Sequence, residues 1–160
     1  MTSAGCLFLE NNTALCGYAP KYGTYTGFGG KSLHGELSIE TAIRETLEEL
    51  YGINPSKKII YDLVNLLKQY SFDERKGYYF LICSFEDIGI FYRILQKHSV
   101  TSPYYKELPT NIEELIKNRL PDFDAEIYDL SIKPIDSDEI HRYLKRDLAR
   151  LSGFTRSRNA

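Results

Sequence analysis

Apolar residues recur along this chain with two periods, and the change of period divides it into elements. Ala4 to Leu9 and Thr13 to Tyr18 are apolar runs separated by Glu10-Asn11-Asn12, the pattern of a first hairpin. The loop Pro20 to Thr26 follows. At Ile39 the period lengthens: Ile39, Ala42, Ile43, Thr46, Leu47 and Leu50 stand at helical spacing and predict one buried stripe. Ser38 is the predicted cap of this helix, and Glu40 complements its positive end. Pro55 and Ser56 open a second predicted helix with Ile59, Ile60, Leu63, Leu66 and Leu67 on one face. Tyr78 to Cys83 is continuously apolar and aromatic, as a buried central strand is. Asp87 to His98 reads as a helix containing Gly89, and Thr110-Asn111-Ile112-Glu113 is a capping box for a short helix that Pro121 ends. Ile127 to Ile132 predicts the last strand. Asp136 or Ser137 then caps a final helix with Ile140, Leu144, Leu148 and Leu151 inward.

The polar face of the first helix carries the chemistry. Glu45, Glu48 and Glu49 fall within an arc of roughly 100°, with Arg44 at its edge. Like charges at this spacing repel unless a cation or water shields them. An acidic face alone is usually a solvated surface. Here Gly27-Phe28-Gly29-Gly30-Lys31 comes before it, and its glycines let a substrate or ion approach main-chain atoms. A glycine loop joined to clustered carboxylates is the pattern of a metal site handling phosphates.

Gly30, five residues, Glu36, seven residues, Arg44-Glu45-x-x-Glu48-Glu49 and then Gly52-Ile53 resembles the Nudix box of the Nudix hydrolase family. Two positions depart from the family pattern. Thr46 replaces an aliphatic residue, and Tyr51 is one residue more than the pattern has before the glycine, an insertion expected to extend the helix or reshape its exit. The resemblance implies an α/β fold, the family's α/β/α sandwich around a mixed sheet. It also implies that Glu45 and Glu49 bind a divalent cation, with Glu48 a further ligand, direct or through water, and the Gly30 carbonyl a main-chain one. Mg²⁺ fits such an oxygen set, with Mn²⁺ as the alternative. Arg44 would orient a carboxylate and Glu36 would pair with it. Glu126 is the expected further catalytic acid, with Glu74, Asp122 and Asp124 as rivals. Tyr25, Phe28, Gly29, Lys31 and His34 are the expected substrate contacts. The implied reaction is hydrolysis of the phosphoanhydride in a nucleoside diphosphate linked to another group.

Substrate choice is less determined. The loop Gly27 to Lys31 is similar to that of Nudix enzymes acting on oxidised purine nucleoside triphosphates, which place tryptophan and asparagine before it. This chain has Tyr25 and Thr26 there, and no tryptophan at all. Tyr25 can stack on a base, while Thr26 lacks an amide's paired donor and acceptor. Capped RNA is a second candidate. Arg142, Lys145, Arg146, Arg150, Arg156 and Arg158 have only Asp147 as an acidic neighbour, and a basic stripe suits an RNA backbone. Cations are also favoured at a helix C-terminus, so both readings stay open. The stretch Glu48-Glu49-Leu50-Tyr51-Gly52, with Cys83-Ser84-Phe85-Glu86-Asp87, also looks like divergent family members encoded by large DNA viruses. The helices near 57–68, 87–98 and 111–118 exceed a minimal family member and are expected to shape the substrate pocket. A family member without hydrolysis, kept as a nucleotide-binding module, is the reading from a different class; such relatives typically lose carboxylates that this chain keeps.

With 160 residues the chain is expected to form one domain, 1–160, and a net charge of −2 gives no general attraction to nucleic acid. Cys6, Cys16 and Cys83 lack metal spacing and are expected to be reduced, which points to the cytoplasm. No apolar run approaches a membrane span, and the N-terminus lacks a signal-peptide pattern.

Overall fold

Asn11 and Asn12 both take left-handed backbone angles, φ 50° and 63°, which a two-residue hairpin turn requires. They join β1 (Ser3–Glu10) to β2 (Thr13–Ala19) in antiparallel register, Glu10 opposite Thr13 and Leu9 opposite Ala14. The computed structural model describes residues 2–68, 70, 72–75 and 77–159, with the backbone alone for 72–75, 150 and 152–159. Glu74, Arg150, Arg156 and Arg158, named above, therefore lie outside the described side chains.

Among the described residues, five further strands join the sheet. β3 (Thr24–Thr26) pairs with β2, and the short β4 (Gly30–Lys31) lies antiparallel to the start of β1, Gly30 opposite Ala4. β5 (Phe72–Arg75) and β6 (Tyr78–Cys83) form a second hairpin. β6 runs parallel to β1 from Ser3 opposite Tyr78 to Phe8 opposite Cys83. β7 (Asp129–Pro134) closes against β2. The sheet is thus mixed, in the order β3-β2-β1-β6-β5, with β4 beside β1 and β7 beside β2.

Successive side chains on a strand point to opposite faces, and here both faces are covered. Cys6, Phe8, Leu81 and Cys83 enter one core cluster, where α1 (Ser38–Tyr51), α2 (Lys57–Leu67), α3 (Ile88–Lys97) and α4 (Ile112–Lys117) pack. Leu7, Leu9, Phe80 and Ile82 enter another, covered by Leu144, Leu148 and Leu151 of α5 (Arg142–Asn159). The α/β sandwich around a mixed sheet expected from the sequence is what forms. Among the described residues, no helix is long and apolar enough to cross a membrane.

Several boundaries differ from the sequence expectation. Ser38 is already helical. Leu37 holds the cap position, and Glu40 reaches back from the first turn to accept the Leu37 N–H at 2.8 Å. Ser56 does cap α2, accepting from the Ile59 N–H at 3.3 Å, but Leu66 is 41% exposed instead of inward. Asn111 caps α4. The last strand starts at Asp129, and α5 starts at Arg142, not after Asp136 or Ser137. The reason is tertiary: Tyr25 N–H donates to the Glu139 carbonyl (3.1 Å) and His141 N–H to the Tyr25 carbonyl (2.8 Å), which holds this segment out of the helix. Ile140 is buried all the same.

All three cysteines are buried. Burial pushes the Cys16 thiol up to about 12, with Lys133 opposing weakly, so it carries almost no thiolate near neutral pH. We expect iodoacetamide at about pH 8 to leave Cys16 unlabelled in the folded protein and to label it in denaturant. Mass spectrometry of the two samples checks this, and rapid labelling of folded protein would contradict it.

Candidate functional site

Arg44 organises the polar face of α1. Its guanidinium is nearly buried and grips Glu36 with two bonds, Nε to Oε2 at 2.7 Å and Nη2 to Oε1 at 3.0 Å. Such a bidentate pair fixes orientation as well as charge. Nη2 also donates to the Lys31 carbonyl (3.0 Å), and Nη1 to Glu45 (2.9 Å) and Glu48 (3.3 Å). Thr41 Oγ1 and the Leu33 N–H complete the shell of Glu36. The loop 31–36 is thereby pinned to the helix, in the pairing the resemblance implies.

Burial alone would raise the Glu36 carboxyl, but Arg44, the Leu33 N–H and Thr41 together hold it at about 2, below its ordinary 4.5. A carboxyl lowered on folding stabilises above its unfolded value and loses that contribution as pH falls through the folded one. Glu36→Gln should therefore lose about 2 kcal/mol at neutral pH. Its melting temperature should change less than that of the wild type between about pH 4.5 and 2. Parallel pH dependences for the two proteins would contradict the pairing.

The carboxylates differ sharply in environment. Glu49 is 8% exposed and burial pushes it up to about 9; the Gly29 N–H, donating to its Oε1 at 3.2 Å, opposes this, while the charges of Glu126, Glu45 and Glu48 add to it. Glu45 is also raised, by burial first, with Arg44 opposing and Glu48 and Glu126 adding. A Cβ at Gly30 would lie 2.5 Å from the Glu45 carboxyl carbon, so a side chain there would push the Glu45 carboxylate aside. Glu126 is itself exposed, yet close enough for its charge to act on both.

Arg119 sets that approach. Its Nη1 donates to the Leu50 carbonyl (2.9 Å), and its Nη2 to the carbonyls of Glu49 (3.1 Å) and Ile127 (2.9 Å). It ties the end of α1, where carbonyls lack helical partners, to the residue after Glu126. Nothing local in the sequence marks Arg119 for this role. At the same helix end, the inserted Tyr51 extends α1 and is wholly buried against Phe91 and Tyr105. Gly52 then ends the helix at φ 66°, its N–H donating to the Glu48 carbonyl at 2.9 Å. The Thr46 and Tyr51 hydroxyls are buried without partners among the described residues.

An all-oxygen set, with two carboxylates lifted by burial and by the charges of neighbouring carboxylates, fits a hard divalent cation. As they stand, Glu45 and Glu48 engage Arg44, and no three acidic, histidine or cysteine groups among the described residues are arranged to hold an ion. Loading a cation would therefore require these carboxylates to share or leave Arg44.

Beside the carboxylates is a cavity of about 430 Å³. Gly27, Phe28 and Gly29 form one wall, Tyr78 and Phe80 the sheet floor, and Tyr143 of α5 part of the opposite wall. The Tyr78 hydroxyl abuts Gly29 and is raised by burial and by Glu49, so the cavity and the carboxylates adjoin. Gly29 and Phe28 are thus at this cavity, as the sequence suggested. Other expected contacts lie apart from it. Tyr25 packs edge-on to Tyr18 with Lys133 over its ring, Lys31 is exposed and uses its carbonyl, and His34 borders a separate cavity of about 820 Å³ with residues of α2 and α3. The α2 and α3 helices, expected to shape the pocket, line that second cavity and not the first.

No protein-family model matches this chain, and no curated protein matches it. Among solved structures it is similar to a hydrolase of the NUDIX family from Clostridium perfringens, at 13% identity over 93% of each chain, with a TM-score of 0.43.

Proposed function

We propose that this protein is a Mg²⁺-dependent hydrolase of the Nudix type, cleaving the phosphoanhydride of a nucleoside triphosphate or a related nucleotide. One observation carries the reading: the glycine loop donates a main-chain N–H to Glu49, the most buried carboxylate of an acidic helix face, while the neighbouring Arg44 is locked by Glu36. A solvated surface helix has no need of that construction. Glu45, Glu48, Glu49 and the Gly30 carbonyl would hold the cation, which neutralises charge on pyrophosphate oxygens and raises the acidity of water. Glu126, exposed beside Glu45 and Glu49, takes the proton of the attacking water. The water oxygen bonds to phosphorus as the anhydride P–O bond breaks, and the leaving phosphate carries away the electron pair. The nucleoside lies in the adjoining cavity over Tyr78 and Phe80.

A hydrolysis screen with Mg²⁺ and Mn²⁺ tests this across normal and oxidised nucleoside triphosphates, dinucleoside polyphosphates, nucleotide sugars and capped RNA. Turnover of one class with release of a phosphate-containing product is expected. Nucleotide binding without turnover in any class would replace the enzyme by a nucleotide-binding module.

A further inference from the structure

The turn after β2 and the segment before α5 meet because β3 bonds to both. Tyr25 exchanges main-chain bonds with Glu139 and His141, and Thr24 Oγ1 donates to the Glu139 carbonyl at 2.5 Å. This brings three rings into a row. The Tyr22 and His141 centroids are 5.5 Å apart, edge to face, and His141 and Tyr143 are 5.2 Å apart. Tyr22 is 58% exposed and Tyr143 52%, so both keep ring surface in water.

Cations flank the row. Lys21 Nζ lies 5.5 Å from the Tyr22 ring centre, and the Arg142 and Arg146 guanidinium carbons lie 4.9 and 5.3 Å from that of Tyr143. The nearby carboxylates are engaged. Asp138 accepts from Lys145, Glu139 from Lys133, and Asp147 lies 3.8 Å from Arg146. At one end, His141, Tyr143 and Arg146 line the 430 Å³ cavity whose opposite wall is Gly27–Gly29.

We propose that this row is a platform for single-stranded nucleic acid whose terminal nucleotide enters the cavity. Aromatic faces stack on bases of any sequence, and cations beside them neutralise the phosphates between. A duplex hides its base faces and would meet the cations alone. An apolar protein partner would leave Lys21 and Arg142 without counter-charges. The proposal rests on the functional reading above for the role of the cavity, and it makes the bound nucleotide the end of a longer chain.

The test is fluorescence anisotropy of a labelled single-stranded oligouridylate with the full chain, without divalent ion, so that no cleavage is needed. At about 50 mM salt the strand should bind, with affinity falling with a log–log salt slope of about −1.4 for Lys21 and Arg142. Tyr22→Ala should weaken binding about tenfold, Tyr22→Phe should restore it, and Arg142→Gln should reduce the slope by about 0.7. Tyr22 is at the surface, and unchanged melting verifies that each variant folds. Failure of the single strand to bind, wild-type affinity in Tyr22→Ala, or equally tight binding of a duplex of the same length would overturn the proposal. An inactive protein that binds the strand removes the catalytic reading and keeps the platform; an active protein that ignores the strand does the reverse.

Discussion

Glu49→Gln is expected to lower kcat for the proposed Mg²⁺-dependent hydrolysis by about 10³-fold while the protein stays folded. The exchange keeps the shape of the side chain, and the amide oxygen can still accept the Gly29 N–H that now reaches Oε1 at 3.2 Å. It removes the charge that Glu49 would give to a bound cation. It also removes the cost of keeping this carboxyl protonated near neutral pH, where burial and the charges of Glu126, Glu45 and Glu48 raise it. Melting temperature should thus hold or rise while activity disappears. This separation distinguishes a ligand from a structural residue, whose loss would lower both. Steady-state kinetics and thermal melting on the same preparation decide it, and a folded Glu49→Gln protein with wild-type turnover would sink the metal-site assignment.

The second large effect is on stability. Gly5 lies in β1 where the glycine loop crosses it, and a Cβ there would stand 1.8 Å from the Phe28 carbonyl oxygen and 3.0 Å from the Gly29 Cα. Both obstacles are main chain, which cannot rotate aside as a long side chain does. Phe28 is buried in the core, so the loop cannot withdraw without unpacking it. Gly5→Ala should cost about 3 kcal/mol, lowering the melting temperature by about 10 °C. The fraction that folds should be impaired in turnover as well, because any shift of Phe28 moves the Gly29 N–H from Glu49. A variant melting within about 2 °C of wild type would show that the loop has room to yield.

What was legible in the sequence was whatever depends on neighbours along the chain. The stripe from Ile39 to Leu50 placed α1, Asn11-Asn12 placed the first turn, and the run Tyr78–Cys83 placed a central strand, because each is a local pattern with a periodicity or a turn preference. The pairing of Arg44 with Glu36 was legible only through a resemblance in spacing. Long-range pairing defeated the rest. Ile140 has the right phase to continue the helix through Leu144 and Leu148, yet it bridges to Tyr25 and the helix waits until Arg142. Tyr25 was expected to stack on a base; β3 places it against Tyr18 with Lys133 over its ring, while Tyr22 and Tyr143 are left exposed. The cavity beside Gly29 is assembled from the glycine loop, β6 and α5, and no window of sequence contains all three.

The position of Glu126 relative to Glu49 is held by a guanidinium that touches main-chain oxygens on both sides of the gap. A tether of that kind is blind to the side chains it joins. Its acceptors at residues 49, 50 and 127 are carbonyls, so the three bonds themselves do not depend on which side chains stand there. Arg119 thus shares with buried Ile127 and with the Tyr128 N–H bond to the Tyr18 carbonyl (2.8 Å) the work of fixing where the two acidic groups sit, while carrying none of the acidity itself.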